Sequence, residues 1–544
     1  MNHLRLVAAL LLVALLSPAA PAAPQDARPG VFGETLDVRV VNIEVVVTDK
    51  QGTRVAGLQP ADFELRVDGQ SVPLDFFAEV VGGRVEERLA AGATAPPAVS
   101  PGGPMGVSWL LFVDDFNSIQ RDRNRVLQGL AEQLGHLGPA DRMAVVAWDG
   151  KRLNMLASWT GSTRELQRAL DAAMKQKAHG LERLAEQRQL DVERNPEGRF
   201  PRTVMSQADP TRLDPDERQL VDMLESQVSR SIRAAASALR AFAAPPGRKA
   251  MVMLSGGMPW RPVDYVVTLP GRMVTEPTVG GEDLYRPLAD VANLLGYTIY
   301  TVDVPGQSQH LFDAADARPR LGGAMAESNR EQQLHQSLEW LAKDTGGRAF
   351  LNDKRLAVFE EAVTDTRSFY WLGYTPKRSG DDQLHRVEVT VKRPGLEARA
   401  RSGFRDVSKR AEVSMAVESA LLFGNPASAA PLAIAIGRPE KSGRGMKVPL
   451  TLTIPLAELT PLPVADGRVA ELELRVAAQD IDNGSLAAIP VVPLQLRVPA
   501  NVAPGASAHY ETTLALRRAA HDLVVVLYEP VSGKLFSATA RVSP

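Results

Sequence analysis

The chain has 544 residues, with 62 Lys and Arg against 64 Asp and Glu, and it contains no cysteine. So balanced a charge offers no global field for a phosphate backbone. Zero cysteine removes disulfides, thiolate zinc sites, iron–sulfur clusters and cysteine nucleophiles together. At 44% hydrophobic and 23% charged residues the composition is that of folded protein, and a prior of about 150 residues per domain suggests three or four domains.

The first segment reads as an export signal. Arg5 supplies a short positive region, Leu6 to Leu16 is apolar, and Ser17 to Ala23 are small residues and prolines suited to signal peptidase, giving a signal peptide over 1–23. The apolar run is shorter than the roughly 20 residues that span a bilayer. The alternative is an uncleaved anchor. No later segment offers a spanning run, so the mature chain is expected to be periplasmic or extracellular and to lack a membrane span.

Residues 34–81 read as an N-terminal β unit. Val41, Ile43, Val45 and Val47 keep the two-residue period of a half-buried strand, as do Phe63, Leu65 and Val67 before the turn at Asp68-Gly69. Residues 82–104, rich in Gly, Ala and Pro, read as a linker. From 105 to 405 the pattern changes. Trp109–Val113, Met143–Trp148, Met251–Leu254 and Thr298–Val302 are continuous apolar runs of the kind that strands buried on both faces require. Helical spacing separates them: Val126, Leu127, Leu130, Leu134 and Leu137, then 163–174, 228–242, 288–295 and 333–343. Strand alternating with helix predicts an α/β fold on a doubly wound, mostly parallel sheet. Residues 175–217 are charged and proline-containing, an insertion that is either a helical excursion or partly disordered. Residues 369–401 return to period two and are expected to form a hairpin at the edge of that sheet. From Val413 to the end no strong helix is expected, and short alternating strands with turn signals at Asp466-Gly467, Asn483-Gly484 and Ser532-Gly533 suggest an immunoglobulin-like β-sandwich over 413–544.

In an open α/β sheet, ligands sit beyond the carboxyl ends of the strands. There the sequence places Asp114, Asp115, Phe116, Asn117 and Ser118, then Ser255-Gly256-Gly257 leading to Trp260, and finally Asp303. Oxygen-bearing side chains without His or Cys suit a hard cation such as Mg²⁺; the other reading is that Asp114 and Ser255 cap the turns that follow. Trp260 is expected on this rim as an exposed partner anchor. Arg121, Arg123 and Arg125 read as a solvated helix face. The eight histidines show no HExxH or HxH spacing, and no Gly-x-Ser-x-Gly or phosphate-loop motif occurs, which disfavours zinc hydrolases, serine esterases and nucleotide hydrolases.

The segments VNIEVVVTDKQGTRVAGLQPADFELRVDG, WLLFVDDFNS, GPADRMAVVAWDG, RKAMVMLSGGMP, LLGYTIYTVDVPG, LAKDTGGRAF and YWLGYTPKR, in this order, resemble the exported von Willebrand factor type A (VWA)-related proteins of acidobacteria and similar bacteria. The resemblance runs from about Glu34 to Arg405. It implies a VWA domain, a Rossmann-like α/β fold, and protein binding rather than catalysis. Type A domains often carry a metal-ion-dependent adhesion site that opens with Asp-x-Ser-x-Ser. Here Asp114 matches the Asp and Ser118 the second Ser, Phe116 replaces the first Ser, and Ser255 stands where a later Asp is expected, so the implied site is degenerate. The resulting expectation is an exported, non-enzymatic protein that binds or scaffolds other proteins at the cell envelope. Asp114, Ser118 and Ser255 are its candidate Mg²⁺ residues, and Asp115, Asn117, Trp260 and Asp303 its candidate partner-binding residues. The competing expectations are a structural subunit of a secretion or surface assembly and an envelope hydrolase.

Overall fold

The computed structural model of the chain describes residues 41–87, 105–183, 185, 211–242, 248–267, 272–306, 323–376, 381–406, 408–423, 429–465, 467–481, 486–488 and 491–544. The expected signal peptide, the linker beyond residue 87, most of the 175–217 insertion and the Asn483-Gly484 turn lie outside these residues.

The apolar runs of the middle region form a mixed six-stranded sheet. Its order is Ala349–Phe350, Tyr297–Asp303, Arg248–Ser255, Val107–Asp114, Arg142–Trp148 and Leu153–Thr160. The first five are parallel to their neighbours, and Leu153–Thr160 closes the edge antiparallel. Both faces of the central strands are covered, which is why those strands carry no polar alternation. Trp109, Leu111 and Val113 pack with Val126, Leu127 and Leu130 of helix Gln120–Gln133, with Leu166 and Leu170 of Thr163–Lys175, and with Phe359 of Val358–Arg367. Leu110 and Phe112 face Ile232, Ala235 and Leu239 of Pro215–Ala241, Leu288 of Glu282–Leu295 and Leu341 of Gly323–Asp344. Helix Pro215–Ala241 begins inside the expected insertion. Asp214 accepts from Glu217 N at 2.7 Å while Glu217 accepts from Asp214 N at 3.1 Å, a reciprocal cap with Pro215 behind it.

The expected fold class, α/β on a doubly wound, mostly parallel sheet, is corrected. The described strands are spread over five sheets. Outside the six-stranded sheet every pairing is antiparallel except the short bridge of Ala430–Pro431 to Phe536 and Ser537. The expected edge hairpin is corrected as well. Phe369–Tyr374 does not join the six-stranded sheet; it pairs between Val41–Asp49 and Phe76–Val81. Likewise Leu384–Val391 pairs with Phe63–Val67, and Leu396–Arg399 with Val41–Asp49. The N-terminal strands are therefore completed by strands more than 300 residues later, as the register Ile43↔Leu372 shows. Two antiparallel sheets result, sharing a core of Ile43, Val45, Phe63, Leu65, Phe77, Tyr370, Leu372, Val387 and Phe404. Phe369 and Trp371, on the other strand face, pack with Val46, Phe76 and Val80. The aromatic cluster is packing between strands.

The C-terminal region places a seven-stranded and a four-stranded sheet around Val448, Leu450, Leu452, Leu472, Leu474, Val525 and Leu527. That strand count departs from the seven or nine of an immunoglobulin-type sandwich. The expectation of no helix beyond Val413 is also corrected. Lys409–Phe423 is helical, and Val413, Val417 and Ala420 cover the outer face of the larger sheet at Val524, Val526 and Tyr528. A stripe of three small or β-branched residues carries little periodic signal, and only the sheet beneath it makes the helix worth forming. Among the described residues no helix is long and apolar enough to cross a membrane.

Candidate functional site

Because Val107–Asp114, Arg248–Ser255 and Tyr297–Asp303 run the same way, their last residues share one edge. Ser255 Oγ donates to Asp114 Oδ2 at 2.7 Å, although 141 residues separate them. Asn117 Nδ2 donates to the same oxygen at 2.8 Å, and Asn117 N reaches Asp114 Oδ1 at 3.2 Å. Asn117 Nδ2 also contacts Ser231 Oγ at 3.2 Å, tying the loop to helix Pro215–Ala241. Asp114, Asp115, Ser118 and Ser255 are each 0% exposed. Burial pushes the Asp114 carboxyl above its ordinary range, against the pull of its hydrogen bonds from Asn117 and Ser255.

The neighbouring backbone explains why this knot is closed. Phe116 N donates to Trp148 O at 3.1 Å, His179 N to Asp115 O at 2.7 Å and Gly180 N to Ser118 O at 2.9 Å. Gly256 lies so close that an added Cβ would sit 1.9 Å from Asn117 O, and only glycine permits that approach.

Asp115 is held differently. It forms a fully buried ion pair with Arg123, whose other guanidinium nitrogen also donates to Met174 O at 3.2 Å and Gln176 O at 2.9 Å. Burial nonetheless pushes Asp115 up to about 6, with Arg123 pulling the other way. The expected solvated helix face is thus corrected at Arg123, which is buried because it neutralises Asp115 and stitches helix Gln120–Gln133 to the end of Thr163–Lys175.

A Mg²⁺ at Asp114, Ser118 and Ser255 does not fit this arrangement. Ser118 Oγ is buried without a hydrogen-bond partner and could serve as a ligand. The set nevertheless supplies one carboxylate whose oxygens already accept from Asn117 and Ser255; the neighbouring Asp115 gives Oδ1 to Arg123 and keeps a buried Oδ2 without a hydrogen-bond partner. A hard divalent cation takes several oxygen ligands and their charge, and here three donors occupy both oxygens of the one carboxylate in the set. The cluster is a hydrogen-bonded closure of three loops.

Trp260, expected to be exposed, is turned inward. It is 9% exposed, stacks on Tyr285 with ring centroids 5.5 Å apart and meets Trp340 at 5.5 Å. Gly257, at φ +90°, bends the chain there, and Tyr285 OH donates to the carbonyls of Met258 and Pro259 at 2.9 and 2.7 Å. Asp303 is also buried, with His335 Nε2 at 3.3 Å from its Oδ2. That hydrogen bond, stronger than the cost of partial burial, raises the His335 pKa.

What the rim does present is a group that the sequence pattern does not announce. The half-buried Phe116 ring has two guanidinium groups near it, Arg183 at 4.4 Å and Arg230 at 5.6 Å from its centroid. Arg183 also donates to Gln227 Oε1. Phe116 stands where the type A motif would put a serine, and that departure is the one sequence signal that marks the position. Arg183 and Arg230 arrive from segments with no local motif.

No protein-family model matches the chain, and no curated protein matches it. Among solved structures, a Northeast Structural Genomics Consortium target is similar over 21% of this chain and 88% of its own, at 15% identity and a TM-score of 0.15. A second target of that consortium, titled as a candidate ApaA protein from Bordetella pertussis, is similar over 21% of this chain and 96% of its own, at 10% identity and a TM-score of 0.15. Likenesses at that level carry no argument about fold or function.

Proposed function

We propose that this chain is an exported, non-enzymatic binding protein that docks other proteins at the cell envelope through the strand-end rim around Phe116, without a metal ion. The carrying observation is the half-buried Phe116 ring with the Arg183 and Arg230 guanidinium groups within 4.4 and 5.6 Å of its centroid, beside loops tied together by the Ser255–Asp114 hydrogen bond. Aromatic and arginine side chains dominate binding energy at protein interfaces, and most strongly where they are ordered before the partner arrives. The reading agrees with the sequence resemblance to VWA-related binding proteins and with the apolar leader Leu6–Leu16. It relocates recognition from the buried Asp115, Trp260 and Asp303 to Phe116, Arg183 and Arg230, with the half-buried Asn117 beside them.

The test is quantitative capture from an envelope extract, with the immobilised wild-type chain and a Phe116→Ala/Arg230→Ala variant run side by side. The expected outcome is a saturable partner whose capture survives chelator and falls at least tenfold in the variant. Capture that the variant leaves unchanged, or that chelator abolishes, overturns the reading.

A further inference from the structure

A second polar cluster lies on the antiparallel module formed by the N-terminal strands and residues 369–405, away from the rim. Strand Leu384–Val391 pairs with Gly403–Arg405 in the register His385↔Phe404. Backbone bonds continue the pairing past its end, Asp406 N to Gln383 O at 3.1 Å and Asp382 N to Asp406 O at 2.9 Å. Asp381, His385 and the buried Asp406 are thereby brought together, with one ligand-capable atom from each lying within 4.8 Å of the others.

We propose that Asp381, His385 and Asp406 bind a first-row divalent transition-metal ion, Zn²⁺ being the fitting case, with Asp68 orienting the imidazole. Three features separate this cluster from an ordinary acidic patch. The first is the histidine. His385 Nδ1 lies 2.7 Å from Asp68 Oδ2, and Asp68 is itself fixed by Arg386 N donating to its Oδ1 at 2.8 Å. A carboxylate behind one ring nitrogen places the proton there and leaves the other lone pair for a metal, the arrangement that metal-ligating histidines use. The second is ring orientation: the imidazole stacks on Phe404, with centroids 5.1 Å apart and an interplanar angle of 25°. The third is spacing. His385 Nε2 and Asp381 Oδ1 are 3.8 Å apart. That is too long for a hydrogen bond, and it is what two ligands held about 2.0–2.1 Å from one ion adopt when the angle between them opens beyond tetrahedral.

One imidazole and two carboxylates suit Zn²⁺ and its neighbours better than Mg²⁺, which takes oxygen ligands and keeps its water. Three protein ligands would leave at least one coordination position for water or a partner's group.

The test is calorimetric titration of the full chain with ZnCl₂ in a metal-free, non-chelating buffer, followed by the absorption spectrum with Co²⁺. One saturable site per chain is expected, with the visible bands of a low-symmetry four-coordinate Co²⁺ ion. Asp381→Asn and His385→Gln are each expected to weaken Zn²⁺ binding by at least tenfold, and Asp68→Asn by about tenfold, the range found for residues that orient a ligand. Asp381 is exposed and its Oδ1 accepts from Gln383 N at 2.9 Å, a bond that the Asn side-chain oxygen can keep, so its variant tests the ligand at little folding cost. A flat titration overturns the proposal, and so does saturable binding that Asp381→Asn and His385→Gln leave unchanged.

Discussion

Two polar clusters in this chain draw on similar residues and differ in how those residues are held. At the strand-end rim both oxygens of Asp114 accept from Asn117 and Ser255, Asp115 Oδ1 pairs with Arg123, and backbone hydrogen bonds draw the loops together over them. At the Asp68–His385 cluster the residues meet at the end of a strand pair, and the spacing of His385 and Asp381 is not that of a hydrogen bond. Gathering polar side chains at strand ends is therefore not enough to make a site. Donors and acceptors that satisfy each other hold loops together; ligands oriented from behind and not bonded to one another can hold something else.

The comparison breaks most visibly at Arg123. Replacing it with Met strands the Asp115 carboxylate in the interior, and the expected loss is about 3–5 kcal/mol by urea denaturation, largely recovered in an Asp115→Asn/Arg123→Met double variant. A loss below about 1 kcal/mol would mean that the rim does not depend on this pair. Ser255→Ala removes the donor to Asp114, and a destabilisation of about 1–2 kcal/mol is expected in the same assay. A third variant, His335→Gln, sharpens the contrast through pH. Asp303 raises the His335 pKa, so the pair stabilises the fold fully below the unfolded value near 6.5 and less as pH rises through the folded value. The variant should cost up to about 1 kcal/mol at pH 5.5 and close to nothing at pH 8, measured as thermal shifts in matched buffers. Asp115 acts in the same direction, since a carboxyl pushed up to about 6 contributes stability that is lost as pH rises through that value. The smallest effect belongs to Asp381→Asn, expected within about 0.5 kcal/mol of wild type in metal-free buffer. A large loss there would make that residue structural and erase the difference between the two clusters.

Several elements were legible in the chain before any pairing was known. Val107–Asp114 and Arg248–Ser255 are continuous apolar runs because both of their faces are covered, and burial on two sides leaves no room for alternation. The order in which Asp114, Ser255 and Asp303 follow such runs was equally readable, since it needs only the position of the last apolar residue. The orientation of Trp260 was not. Gly257 turns it toward Tyr285 and Trp340, and neither neighbour is local. Arg123 looked solvated for the same reason: Asp115, Met174 and Gln176 become its partners only when two helices and a strand end meet.

What the sequence by itself determined is the local character of each segment: period two for half-covered strands, unbroken apolar runs for fully covered ones, and helical stripes between them. What only the tertiary structure decided is which segments share a sheet and which charges neutralise each other. Val41–Asp49 finds Phe369–Tyr374, and Asp68 finds His385, across more than 300 residues. Periodicity records how much of a strand is covered, and any strand of matching period and register can do the covering; the partner is selected by the packing of the whole chain.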